Sequence, residues 1–401
     1  MQAEREGELL RSRMTTEGER ILDWWRKRVM NDDGQFHGVV ENDGTPHPAA
    51  DRGVILATRI LWTFSRAITT GFQPIDANRV VADLAYSFLR EYFWDEENLG
   101  FYWLLDGDNH PINPRKHIYG QSFAIYALSE YYVASGNVEA LTTAQLTYHL
   151  VEQYAADPLH GGYYESFTQS WEPDTDLRLG SEDLNEAKSM NTHLHLLEAY
   201  TRLYQVWPNH RLRTRFHHLL NVVLDRIVDP ESGHFILFFD ADWTPKSDIV
   251  SYGHDIEGSW LLYEAAEALD DKAVIERVRQ LAMKMVDATL ADGIDTDSGV
   301  FNEGRGTQII DSDKHWWPQA EAVVGLVNAY QLSRNEAYLQ RAAEVWNFID
   351  AKILDKAHGE WFWKVDRDGN PDLTKYKVEP WKGPYHNTRA CMEVWKRLEH
   401  V

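Results

Sequence analysis

Along the chain, two kinds of helix-length pattern alternate. Segments such as RGVILATRILWTFSRA, KHIYGQSFAIYALSEYY, NTHLHLLEAYTRLY, GHDIEGSWLLYEAAEAL, KHWWPQAEAVVGLVNAY and PYHNTRACMEVWKRL are apolar around much of their circumference. That is the mark of a buried helix. Segments such as RVVADLAYSFLREYFW and LQRAAEVWNFIDAKIL keep a polar face and read as outer helices. Between outer and inner segments lies a short block: an Asp, then a Gly, then aromatic or apolar residues. It recurs as NDDGQFHGVV (31–40), WDEENLGFYW (94–103), DPLHGGYY (157–164), DPESGHFILFF (229–239), DTDSGVFNE (295–303) and DKAHGEWFW (355–363). One glycine from each block (Gly38, Gly100, Gly162, Gly233, Gly299, Gly359) gives spacings of 62, 62, 71, 66 and 60 residues. A steady period of this size marks a repeat architecture. Each unit is an inner helix, an outer helix and an aromatic hairpin, with Asn42-Asp43-Gly44, Asp106-Gly107 and Asp368-Gly369 as hairpin turns.

Six helical hairpins either stack as an open solenoid or close into a ring. Histidine placement argues for closure. Five inner segments carry a His at or just before their start: His117, His193 with His195, His254, His315 and His386; the sixth carries Arg59. In a ring of helices that all run one way, these residues converge on one mouth, where free N–H groups and positive dipole ends favour an electron-rich or anionic ligand. The expectation is an all-α fold, an (α/α)6 barrel with short hairpins in the loops, forming a single domain over 1–401.

Composition narrows the function. A formal net charge of −23 spread along the chain argues against nucleic acid and anionic membranes as partners. One cysteine, Cys391, builds neither a disulfide framework nor a thiolate metal site. The start, MQAEREGELLRSR, has no apolar signal region, and no apolar run approaches a membrane span, so a cytoplasmic protein is expected, as a monomer or weak homo-oligomer. There is no P-loop and no G-x-G-x-x-G after a strand; no cofactor is expected. Sixteen Trp fit a large aromatic core or a sugar site, where C–H faces stack on indole.

Residues two apart on a helix lie about 200° apart, so His193 and His195 do not both face the axis. Asn191 or Thr192 is a suitable N-cap. His195 shares a face with Glu198, and His254 repeats that spacing with Glu257. His195 is therefore assigned to the site and His193 to a position behind it. Metal binding is one alternative, but di-metal carboxylate bundles use E-x-x-H with added glutamates, the reverse order, and no metal is expected. Glycoside hydrolysis is another; it needs two carboxylates across the scissile bond, and Glu257 with Glu321 are the candidates, but the ring of histidines is then unexplained. Proton abstraction beside a carbonyl uses both features of the ring. Histidine takes and returns a proton near neutrality, inversion needs one group on each face of a planar enediol, and a cation such as Arg59 stabilises the developing oxyanion. A buried Arg59 needs a partner, expected to be a ligand or a site glutamate.

The motifs NTHLHLLEAY, SYGHDIEGSWLL, DKHWWPQAEAVVG, EPWKGPYHNTRAC, RGVILATRILWTF and KHIYGQSFAIYALSE resemble, nearly end to end and in order, the cellobiose 2-epimerases of the N-acylglucosamine 2-epimerase superfamily. The resemblance implies an (α/α)6 barrel that converts the reducing-end glucose of a β-1,4 disaccharide to mannose without cofactor: cellobiose to glucosyl-mannose, and lactose to epilactose. It implies His254 and His386 as the acid/base pair and His195 as an assistant at the ring oxygens. Arg59 then holds substrate oxygens, and Glu257 tunes His254. Substrate-binding positions are Glu321, Trp317, Trp381, Trp260, Tyr119 and Asn191; Trp317 is preferred over Trp316 on family alignment. His117 and His315 are expected behind the site. Relatives on the same barrel leave two alternatives, a mannose or glucose 2-epimerase and an aldose–ketose isomerase. Gly120 either enlarges the pocket or eases helix packing. The long loop SFTQSWEPDTDLRLGSEDLNEAKS is expected over the mouth.

Overall fold

The computed structural model describes residues 2–31 and 34–399; Asp32 and Asp33 of the first Asp-Gly block lie outside the described residues. Inner helices alternate with outer ones along the chain. The inner set is α2 (Val54–Thr70), α4 (Ile118–Ser135), α6 (Met190–Val206), α8 (Tyr252–Leu269), α10 (Trp316–Ser333) and α12 (Tyr385–Arg397). The outer set is α1 (Gln2–Arg28), α3 (Ile75–Phe88), α5 (Val138–Tyr154), α7 (His210–Val222), α9 (Lys272–Asp292) and α11 (Glu336–Phe348). Each inner helix packs on the next, and α12 packs back on α2, closing the ring. The N-terminal α1 lies against α12 and α11, so the first helix of the chain takes the outer position behind the last inner one. This is the (α/α)6 barrel. Among the described residues, no helix is long and apolar enough to cross a membrane.

The Asp-Gly blocks join outer to inner helices, and their aspartates do two jobs. Asp95, Asp157 and Asp355 each accept two backbone N–H groups of their own turn through Oδ1, the local bonding that makes Asp a turn former. The second oxygen takes a buried lysine just upstream of an inner helix: Lys116 on Asp95 at 2.9 Å, Lys188 on Asp157 at 2.7 Å, and Lys377 on Asp355. Lys314 repeats this on Asp295 at 3.0 Å. Two-residue strand pairs such as Lys188–Ser189 with Phe238–Phe239 tie each block to its neighbour round the mouth.

A polar side chain in the first turn of each of four inner helices then grips the hairpin below it. Gln121 accepts from Phe101 N at 2.9 Å, His193 Nε2 from Tyr163 N at 2.9 Å, Asp255 from Phe235 N at 2.7 Å and Gln319 from Val300 N at 2.7 Å. His193 is thus one member of a structural series.

The far end of the barrel is closed by charge. Arg66, Glu130, Arg202, Glu264, Asn328 and Arg397, one from each inner helix, meet there, and the glutamates lie between arginines. Arg202 pairs with Glu130 at 2.7 Å, Arg66 with Glu130 at 3.7 Å, and Arg397 with Glu264 at 3.1 Å and Asn328 at 2.9 Å. Glu393 joins Arg66 at 2.8 Å.

Removing one partner of a buried pair leaves the other charge uncompensated. Lys188→Met strands Asp157 and is expected to lower stability by about 3 kcal/mol, read as a shift in the denaturant midpoint at unchanged slope.

Candidate active site

Because the inner helices enter in a common direction, equal positions on them meet at equal depth. The residue five after each helix start is Arg59, Phe123, His195, Glu257 and Glu321 for α2 to α10. In α12, which enters one residue later behind Pro384, the matching residue is Arg389. One turn nearer the mouth stand Tyr119, Asn191, Trp317, His254 and His386. Between the two levels and the mouth lies a cavity of about 220 Å³ lined by Arg59, Tyr119, Asn191, His195, His254, Glu257, Trp317, Trp381 and His386, among others.

Three imidazoles in this cavity are held the same way. His195 Nδ1 meets Glu198 Oε2 at 3.0 Å, His254 Nδ1 meets Ser251 Oγ at 2.7 Å, and His386 Nδ1 meets Glu321 Oε1 at 2.7 Å. Each bond fixes the ring and leaves Nε2 without a protein partner among the described residues. Trp317 lies against two of them, its ring 4.6 Å from His254 and 5.5 Å from His386. Burial, with His195 nearby, holds His254 neutral by lowering it to about 3. His386 is lowered well below the imidazole range, first by burial and then by the charges of Arg59 and Arg389. Neutral imidazoles in this position accept a proton instead of carrying one.

The Arg59 guanidinium lies over Phe123 at 4.8 Å. It donates to Trp381 O at 2.5 Å and to the Tyr119 hydroxyl at 3.1 Å. Its partners are a carbonyl and a phenol; no carboxylate pairs with it among the described residues, so its charge stays available to a ligand in the cavity. Asn191 Oδ1 is buried without a partner. The N-cap of α6 is neither Asn191 nor Thr192 but Ser189, whose hydroxyl accepts from Thr192 N at 3.1 Å; this frees Asn191 to face inward.

Several expected assignments change. Trp260 does not line the cavity. It lies a turn deeper on α8, 1% exposed, with Nε1 on Glu321 Oε2 at 3.2 Å. Glu321 does not line the cavity either: its Oε1 meets His386 and Arg389, the latter at 2.6 Å, and its other oxygen accepts from Trp260. Glu257 does not touch His254, because that ring turns back toward the helix start onto Ser251. It bonds Arg389 and approaches His386 Nδ1 at 3.9 Å, leaving Oε2 unpartnered. Burial, then the Glu321 charge, pushes Glu257 up to about 7. With both carboxylates on one guanidinium and Glu321 outside the cavity, the pair does not flank a glycosidic bond.

Glu257, Glu321 and His386 have metal-ligand spacing. Arg389 Nη2 already bonds both carboxylates, so a cation there would have to displace a buried guanidinium. His117 caps α4 and meets Leu177 O at 3.2 Å, behind the site as expected. His315 instead lines the cavity with Nε2 unpartnered. Trp316 and Trp363, rings 4.6 Å apart, line it too, so both adjacent tryptophans contribute. Leu179, Gly180 and Asp183 of the long loop reach over it. A Cβ on Gly120 would come within 3.0 Å of Val54 and 3.3 Å of Trp103; this glycine serves helix packing.

The residue that sequence reasoning missed is Arg389. Its signal was register: it occupies in the sixth unit the place that Arg59, His195, Glu257 and Glu321 occupy in theirs. The lysines before the inner helices, as in KHIYG and KHWW, were a second unread signal.

With this geometry in hand, the comparisons with known proteins are direct. The pattern of the N-acylglucosamine 2-epimerase family matches residues 34–390. The chain belongs to this family. It is 40% identical to cellobiose 2-epimerase from Bacteroides fragilis, over 96% of this chain and 99% of that one. Among solved structures, a sugar epimerase from a ruminal bacterium superposes with a TM-score of 0.91 at 37% identity, covering 96% of this chain and 98% of that one. Cellobiose 2-epimerase from Spirochaeta thermophila gives 0.88 at 36% identity, covering 98% and 97%. Membership of an epimerase family makes this chain a carbohydrate isomerase.

His193 and His195 are separable by experiment. Gln121 and Gln319 perform the hairpin grip in sister units, so His193→Gln is expected to fold with a loss of about 1 kcal/mol or less, measured by thermal denaturation, and to keep its turnover.

Proposed function

We propose that the chain inverts C2 of the reducing-end glucose of β-1,4-linked disaccharides, cellobiose and lactose among them, through a cis-enediol and without cofactor. The observation that carries this is the trio of buried imidazoles, each tied through Nδ1 and each free at Nε2, with two of them on one indole. One of His254 and His386 takes the C2 proton. Its bonding pair becomes the C1–C2 double bond as O1 takes up the negative charge beside Arg59. The other imidazole, protonated from solvent once that charge stands beside it, delivers its proton to C2 from the opposite face as the O1 charge re-forms the carbonyl, and the first imidazole returns its proton to solvent. Positioned groups of this kind supply roughly 10²–10⁴-fold each.

Arg59 and the Tyr119 hydroxyl it holds sit where the charge on O1 and O2 grows, and preorganised donors there stabilise the intermediate. His195, backed by Glu198, serves the proton exchange that opens the sugar ring. Trp317 and Trp381 offer faces for the sugars, and Asn191 offers an unsatisfied carbonyl oxygen. The names of the most similar relatives support a disaccharide over a free monosaccharide, and the roof formed by Leu179, Gly180 and Asp183 supports a site that extends past one ring.

The test uses metal-stripped protein with cellobiose, lactose, mannose and glucose in D2O, followed by NMR. Deuterium at C2 and the mannose-ended disaccharide are expected, with His254→Ala and His386→Ala each slower by roughly 10² or more. Absence of C2 exchange on every sugar, or turnover only after adding a divalent metal, sinks the proposal.

A further inference from the structure

The Arg389 side chain is 1% exposed, yet it makes no contact with the mouth cavity. From α12 it reaches α6, α8 and α10 at once: Nη1 donates to Glu198 Oε1 at 2.5 Å, and Nη2 to Glu257 and to Glu321 Oε1, the latter at 2.6 Å. It is sandwiched by rings, 4.8 Å from Trp260 and 4.3 Å from Tyr385. The Tyr385 hydroxyl completes the cluster on Glu198 at 2.5 Å. Two of the three carboxylates are the partners that hold His195 and His386 by Nδ1. Planar, forked and permanently charged, Arg is the side chain suited to such a place.

We propose that Arg389 is a positioning residue for the epimerisation: one guanidinium holds Glu198, Glu257 and Glu321 together, favours their charged forms and so decides which ring nitrogen His195 and His386 turn to the sugar. This inference rests on the proposed function. The groups facing the cluster are His195 and Glu198 from α6, His254 and Glu257 from α8, Glu321 from α10, Arg59 from α2, Tyr126 from α4, and Tyr385 and His386 from α12 itself. Arg59 and Arg389 are the permanent cations, and only Arg389 touches the carboxylates. Burial alone would raise Glu198; the Arg389 charge, followed by the bond from His195, brings it below the ordinary carboxylate value.

The consequence of removing Arg389 has a definite sign. Buried carboxylates at this spacing repel, and without a cation they take up protons near neutrality. A protonated Glu321 donates to His386 Nδ1. The imidazole then carries its own proton on Nε2, and the base facing C2 is gone. Raising the pH strips the Glu321 proton and restores the base. The acid limb of the rate therefore moves upward, which a purely structural role for Arg389 would not produce.

The experiment compares wild type with Arg389→Met and Arg389→Lys: pH profiles of kcat and KM on cellobiose, and ¹⁵N signals of the His386 ring. Arg389→Met is expected to lose roughly 10²-fold in kcat at neutral pH. Its acid limb should rise by about one pH unit or more, KM should change less than kcat, and the proton should shift from Nδ1 to Nε2. Arg389→Lys, which keeps the charge but loses the fork, should shift the same way by less, and serves alone if the Met variant fails to fold. A folded Lys or Met variant whose activity falls equally at every pH, with the His386 tautomer unchanged, overturns the inference. A wild type that exchanges no C2 proton on any sugar fails the proposed function instead, and the two failures are distinguishable.

Discussion

Six inner helices entering from one end impose the organising constraint. Parallel helices repel through their dipoles, so each is flanked by an outer helix running the other way. Their N-termini gather at the mouth, with unpaired N–H groups and the positive ends of the dipoles. Closure of α12 onto α2 then makes depth in the barrel equal to position in the helix. This is why six side chains far apart in sequence, from Arg59 to Arg389, stand on one level.

That arithmetic was partly legible in the chain. The Asp-Gly blocks, the apolar inner segments and the histidines at their heads are local patterns, and the barrel follows from counting them. Telling His193 from His195 needed only the helical angle. Side-chain direction was not legible. The H-x-x-E spacing joins His195 to Glu198 but not His254 to Glu257, because a first-turn imidazole also has the Ser251 hydroxyl within reach. The same limit hid the depth of Trp260 and the partner of Glu321, since both depend on which way a side chain turns across a packed interface. Arg389 was hidden by the one-residue offset of α12 behind Pro384.

The level seven residues below the site level repeats it in ionic form: 59 and 66, 123 and 130, 195 and 202, 257 and 264, 321 and 328. Seven residues are nearly two helical turns, so both members face the axis roughly 10 Å apart. At the lower level, opposite charges from neighbouring helices pair with one another. Around the mouth cavity they do not: Asn191 Oδ1, Glu257 Oε2 and His315 Nε2 are buried without partners, and three further imidazole nitrogens face the cavity free. Each unmade bond of a buried polar group costs about 1–3 kcal/mol. A fold that pairs its charges at the far end and leaves polar atoms unpaired around the mouth cavity has a polar ligand as the missing partner. The spacing of those atoms, on several helices around one cavity and beside indole rings, matches a molecule with many hydroxyls and an apolar C–H face. That makes a sugar the ligand that best completes the upper level.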